Sequence, residues 1–217
     1  VIETFRVLSV CWIGATGGRT HSIGCAISYH FGGMVMEHEK LHLTPIEKPR
    51  GLLVRLAYWL SKRQYGKVLT PMKVVYARKP GLIHIVRQIL KVQKSLTLEP
   101  AVQYLVSVQV SRMNGCRFCE DIGLAHAIQQ RIGKDRFAAL EDYRTSPSFT
   151  ERERAALAFA EEATRNHAVS EETWAAVKKH FTDTQIVELV WLNATENYFN
   201  LTAAVLGIGS DELAGKL

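Results

Sequence analysis

Ser111-Arg-Met-Asn-Gly-Cys-Arg-Phe-Cys119 decides how this chain is read. Asn114-Gly115 is a natural helix stop, because glycine and asparagine tolerate the left-handed backbone that ends a helix. A second helix restarts directly after it. The segment therefore predicts two helices meeting at a tight corner, with Cys116 and Cys119 in the first turn of the second. Unpaired N–H groups and the positive end of the helix dipole favour a thiolate there, and the thiolate is the nucleophile in disulfide exchange and in attack on a peroxide. Two other readings stay open. The pair could be small core residues on one buried face, and a zinc site would need two more ligands that no second C-x-x-C supplies.

Outward from the corner the pattern is helical. Periodicity and punctuation place helices near 50–64, 71–77, 82–93, 98–112, 116–132, 135–142, 151–166, 171–180 and 183–206. Thr150-Glu-Arg-Glu153 and Thr182-Asp-Thr-Gln185 are capping boxes. Thr70-Pro71 and Ser146-Pro147 read as an N-cap followed by proline at the first helical position. No alternating strands with hairpin turns are visible, so the expected class is all-α.

The chain has 217 residues, 47% of them hydrophobic and 22% charged, which excludes bulk disorder. Apolar runs fall short of the roughly 18–20 residues that cross a bilayer, so a cytoplasmic location is expected. From Lys48 to Leu98 there are 12 basic and no acidic residues, whereas from Glu99 onward 12 basic face 17 acidic ones. Three regions are expected: a poorly ordered leader over 1–36, a basic helical arm over 37–97, and a helical C-x-x-C domain over 98–217. In the arm, Leu52, Leu53, Val54, Leu56, Trp59 and Leu60 make an apolar surface broad enough to seat on another subunit. Its charges are not segregated as in a membrane-lying helix, and its aromatic residues lack a nucleic-acid reader's motif.

Val108-Gln-Val-Ser-Arg-Met-Asn-Gly-Cys-Arg-Phe-Cys119, with the capped helix at Thr150, His180-Phe-Thr-Asp183 and Ile186-Val-Glu-Leu189, resembles the carboxymuconolactone decarboxylase and alkyl hydroperoxidase D family over roughly residues 65–208. The resemblance implies an all-helical bundle assembling into homo-oligomers, trimers or hexamers, with a dimer as the smaller option. It also implies a thiol-dependent peroxidase with an antioxidant role. The C-x-x-C pair would reduce a hydroperoxide or a small organic substrate, and an external dithiol would restore it. No metal or other cofactor is implied. A non-redox decarboxylase or lyase on the same scaffold is the alternative, and a non-catalytic helical binding module is the third.

The peroxidase branch of that family carries a proton-relay Glu twelve residues before the first cysteine and a His four after the second; here these positions hold Tyr104 and Gly123. Cys116 and Cys119 carry over and the relay does not. Substitutes come from helix geometry. Glu120 follows Cys116 by four residues, within side-chain reach. His126 shares the cysteine face but lies about 10 Å further along the axis, and its more common reading is a hydrogen-bonded histidine on a packed face. Tyr104 could hydrogen-bond a thiolate, although a phenol is a poor base near neutrality. Gly123 could leave room for a substrate. In the last long helix Asn193, Glu196, Asn197 and Asn200 form a polar stripe on an otherwise apolar helix. It lines the site with Glu196 as the replacement base, or it joins helices.

Overall fold

The structure is a computed structural model, described for residues 40–216. Among these residues the regular structure is helical throughout, with α1 (Leu52–Tyr65), α2 (Gly81–Gln93), α3 (Pro100–Met113), α4 (Arg117–Gln129), α5 (Lys134–Ala138), α6 (Glu151–Asn166), α7 (Glu171–His180) and α8 (Asp183–Ala204). A short π-helical segment, Met72–Tyr76, lies between α1 and α2. The expected leader over 1–36 lies outside the described residues.

The caps act where the sequence puts them. Thr150 and Thr182 each accept the backbone N–H three residues on, and Glu153 and Gln185 reach back to complete both boxes. Each such cap is worth about 1 kcal/mol. Gly66 ends α1 at φ 73°, its N–H donating to the carbonyl of Lys62. Ser146-Pro147 is a correction: no helix starts there. Ser146 Oγ accepts the Ser148 N–H in a local turn, the Ser146 carbonyl receives Arg154, and the helix waits for the stronger box at Thr150. Thr70-Pro71 does precede the π-helical segment, but the Thr70 hydroxyl donates to Asp211 instead of capping it. The helix expected over 135–142 is split, α5 passing into a 3-10 turn at Ala139–Asp142.

α3 is the spine. Leu105, Val106, Val108 and Val110 are almost wholly enclosed, because both sides of the helix are covered. One side, with Val102, Val106 and Val110, packs against Ala156, Phe159 and Ala160 of α6, Val177 of α7, and Ile186, Leu189 and Leu192 of α8. The other, with Leu105 and Val108, packs against Ala127, Phe137, Leu140, Phe149 and Leu157. A third cluster holds Cys116 and Cys119 together with Leu69, Val74, Ala203, Ile208 and Leu213. Besides α4 and α8, it draws its walls from the chain between α1 and α2 and from the chain after α8.

On α1, Val54 and Tyr58 turn inward to Ile83, while Leu52, Leu56, Trp59 and Leu60 are exposed. The outer face of α8 carries a second apolar stripe, Val187, Val190, Tyr198 and Leu201, continued by Val205 at its C-cap, all exposed.

Candidate functional site

The corner between α3 and α4 is one continuous hydrogen-bonded unit. Gly115 takes φ 64°, its N–H donates to the carbonyl of Arg112, and the N–H of Cys116 donates to that of Ser111. This is the doubled bond pattern that closes a helix on a left-handed residue. Immediately beyond that closure, Cys116 opens α4. It is the N-cap, and its Sγ accepts the N–H of Cys119 at 3.3 Å. The two cysteines form a disulfide with their Cα atoms 5.3 Å apart. They are 1% and 6% exposed, so both residues are enclosed in this state.

Behind the corner lies a polar network built by α3 and α8. Ser111 Oγ donates to Glu196 Oε1 at 3.0 Å, and Asn200 Nδ2 donates to the same oxygen at 3.0 Å. Asn114 Nδ2 donates to Asn197 Oδ1 and Asn200 Oδ1, tying the corner itself to α8. Burial pushes the Glu196 carboxyl up to about 7, against the opposing pull of hydrogen bonds from Ser111, Asn200 and Ser107. An enclosed acid that changes charge near neutrality, joined through Ser111 to a cysteine corner, is suited to hold or release a proton. The polar stripe of α8 thus has two parts. Asn193 donates to the Ala160 carbonyl and to Thr164 Oγ1, joining α8 to α6, whereas Glu196 and Asn200 face the corner.

The other expected residues are distributed differently. His126 is half-buried with Nε2 3.0 Å from the hydroxyl of Tyr65, and burial lowers its pKa. Tyr65 packs against the cluster that holds both sulfurs. Tyr104 packs instead beside the cluster of Phe137 and Leu140, near enough to Tyr65 to help raise its pKa. Glu120 turns to α3, accepting from Arg112 Nε at 2.7 Å. The space expected at Gly123 is filled: a Cβ there would lie 3.1 Å from Val108 Cγ2, so the glycine permits close helix packing rather than substrate entry.

Sequence reasoning missed Tyr65, Asp121 and Asp211. Asp121, two residues after Cys119, accepts from Ser210 Oγ and from the backbone N–H groups of Leu213 and Ala214. Asp211 accepts from the N–H and hydroxyl of Thr70 and pairs with Lys67 at 3.0 Å. Two enclosed aspartates therefore latch residues 210–214 over the cysteine cluster. Nothing local marks them, since their partners are 89 to 144 residues away in sequence. A shallow cleft of about 280 Å³ lies along α4, lined by Arg117, Glu120, Asp121, Leu124 and Ser210. A larger groove of about 540 Å³ runs along α2 past His84, Arg87, Lys91 and Lys94. Neither is lined by a cysteine. Among the described residues no group of His, Cys, Asp or Glu is placed to hold a metal ion, and no helix is long and apolar enough to cross a membrane.

A helical bundle with a disulfide-forming C-x-x-C at a helix start defines a class, and comparison with known proteins agrees. The chain belongs to the carboxymuconolactone decarboxylase family, whose sequence model matches residues 87–162. It is 32% identical over 149 residues to the uncharacterized protein YnjA of Escherichia coli (strain K12), covering 67% of this chain and 81% of that protein. Two solved structures share the fold. An uncharacterized peroxidase-related protein from Silicibacter sp. TM1040 superposes with a TM-score of 0.66 at 22% identity, over 84% of this chain and 98% of that one. The debrominase Bmp8 superposes with a TM-score of 0.69 at 16% identity, over 82% and 96%.

Proposed function

We propose that this chain is a thiol-dependent oxidoreductase that reduces hydroperoxides through Cys116 and Cys119. The observation that carries the reading is the N-cap position of Cys116, whose sulfur already accepts a backbone N–H at the positive end of α4. Negative charge on that sulfur is favoured there, as a thiolate nucleophile requires. The thiolate attacks the distal peroxide oxygen, the O–O bond breaks, and the sulfur becomes a sulfenic acid while an alcohol leaves. The second thiol displaces water from the sulfenic acid and closes the disulfide, and an external dithiol reduces it again.

Glu196 is the base within the fold that takes up the thiol proton. Its pKa of about 7 matches that task, and Ser111 connects it to the corner through both side chain and carbonyl. Stopped-flow consumption of an alkyl hydroperoxide by the reduced protein tests the reading, with a dithiol present for turnover. Turnover that disappears in Cys116→Ser and in Cys119→Ser supports it; turnover indifferent to both contradicts it.

The same reading has the chain act as a homo-oligomer. The exposed apolar faces of α1 and α8, with Leu52 at 82% and Leu201 at 68%, are what a second copy would cover. Light scattering of Leu201→Glu beside the wild type tests this through a smaller assembly.

A further inference from the structure

We propose that Tyr65, held by His126 and Gln64, is the proton donor to the oxygen that leaves when a peroxide is reduced at the cysteine pair. The inference rests on the peroxide-reducing function proposed above. It brings in a residue from the basic arm, outside residues 87–162, that the family model does not cover.

The two ends of the Tyr65 side chain do different things. Its ring packs against the apolar cluster containing Cys116 and Cys119, while its hydroxyl lies 3.0 Å from His126 Nε2 and accepts the Gln64 Nε2–H at 3.0 Å. With the His126 proton on Nε2, the phenol oxygen accepts two N–H groups. Its own O–H is then free to point elsewhere. Burial raises the phenol's pKa, so it is a protonated donor at neutral pH; burial lowers that of His126, so the imidazole is neutral. Two neutral groups in contact suit a half-buried site better than an ion pair would.

Attack by a thiolate on a peroxide moves an electron pair onto the departing oxygen. The S–O bond forms, the O–O bond breaks, sulfur is oxidised by two electrons and the peroxide is reduced. The leaving group is an alkoxide or hydroxide, with a conjugate acid of pKa ~15.7 in the case of water. A phenol, with an ordinary pKa of ~10, gives its proton to such an oxygen downhill, even after burial has weakened it. The Tyr65 phenolate then takes the Nε2 proton of His126, whose Nδ1 takes one from solvent; uptake of a solvent proton at Nε2 and loss of the Nδ1 proton to solvent restore the starting tautomer. Charge and protons balance without another reactant. The Tyr65 ring contact and the His126 bond are both needed, since one seats the phenol on the cluster that holds the cysteines and the other reloads it.

The test varies how much the leaving group needs a proton. An alkyl hydroperoxide expels a strongly basic alkoxide, whereas a peracid expels a carboxylate with a conjugate acid of pKa ~4 that needs no donor. Single-turnover oxidation of the reduced full chain is followed with tert-butyl hydroperoxide and with peracetic acid, for the wild type and for Tyr65→Phe. We expect Tyr65→Phe to slow the alkyl hydroperoxide reaction by at least about 10²-fold, the usual worth of general acid catalysis, and the peracid reaction by no more than about twofold. The peracid rate shows that the variant is folded and its thiols competent. Equal losses with both oxidants, or no loss with either, overturn the proposal. A wild type inert to both oxidants removes the peroxidase reading together with it.

Discussion

Two clusters of this molecule are equally well enclosed but differently made. Around Val106, Val110, Phe159, Ala160, Val177 and Leu189, the walls are mostly regular helix, closed at helix ends by Leu98 and Phe181, and the packing follows largely from the period of the sequence. Around Cys116 and Cys119, one wall is α4 and the others include Leu69 and Val74 from the π-helical region and Ile208 and Leu213 from the chain after α8. Those irregular walls are fixed by Asp121 and Asp211, which supply the hydrogen-bond partners that the backbone there cannot find in a regular helix. A helix-walled core opens when the molecule unfolds, whereas a loop-walled one can open alone. The reactive pair sits in the second kind.

The largest effect should come at the pair itself. Cys116→Ser and Cys119→Ser should each abolish peroxide turnover in a coupled dithiol assay while leaving the helical circular dichroism signal intact. In the helix-walled cluster, Leu189, 1% exposed, should be the costly position. Leu189→Ala should lower unfolding free energy by about 2–5 kcal/mol in urea titration, through lost burial and a cavity. That variant should leave the ratio of peroxide to peracid rates unchanged.

Glu196 should give the molecule a pH signature. Its folded pKa is about 7 against an ordinary 4.5, so between those values the folded state binds a proton that the unfolded state has released. The stabilisation is complete below about pH 4.5 and is lost as pH rises through about 7. The full span is about 3 kcal/mol. Glu196→Gln should flatten that decline in denaturant titrations from pH 5 to 8; an identical slope in both proteins would place the titration elsewhere. Asp211→Ala should act on the loop-walled cluster alone. It loses its bonds to Thr70 and Lys67, so iodoacetamide should reach the reduced thiols about tenfold faster with little change in the unfolding midpoint. If the midpoint falls as far as in Leu189→Ala, the two clusters do not differ as described. Glu120→Ala should be the mildest. Its pair with Arg112 is about 30% exposed, and exposed pairs contribute about 1 kcal/mol or less.

The same division explains what the sequence made legible. Helix periods, both capping boxes and the stop at Asn114-Gly115 are local chemistry, so α3, α4, α6 and α8 could be read directly. Ser146-Pro147 misled because a cap and a proline are compatible with a turn as well as with a helix, and the box four residues later competes better. The cysteines and Glu196 could be singled out from spacing and from a polar stripe on an apolar helix. The partners Tyr65, Asp121 and Asp211 could not. Tyr65 meets His126 across 61 residues and Asp211 meets Thr70 across 141, and neither end has a pattern of its own. Gly123 looked like space because a glycine alone does not say whether its missing side chain is replaced by a cavity or, as here, by Val108.

The central claim is that the corner at Asn114-Gly115 holds a reactive dithiol and not merely two small core residues. Peptide-resolved alkylation tests it most directly. The reduced protein is treated with one equivalent of alkyl hydroperoxide, trapped with iodoacetamide after denaturation, and mapped so that Cys116 and Cys119 are read apart from Cys11 and Cys25. The predicted result is joint loss of alkylation at Cys116 and Cys119, reversed by a dithiol. Full alkylation of both after peroxide, in protein that is folded when treated, would contradict it.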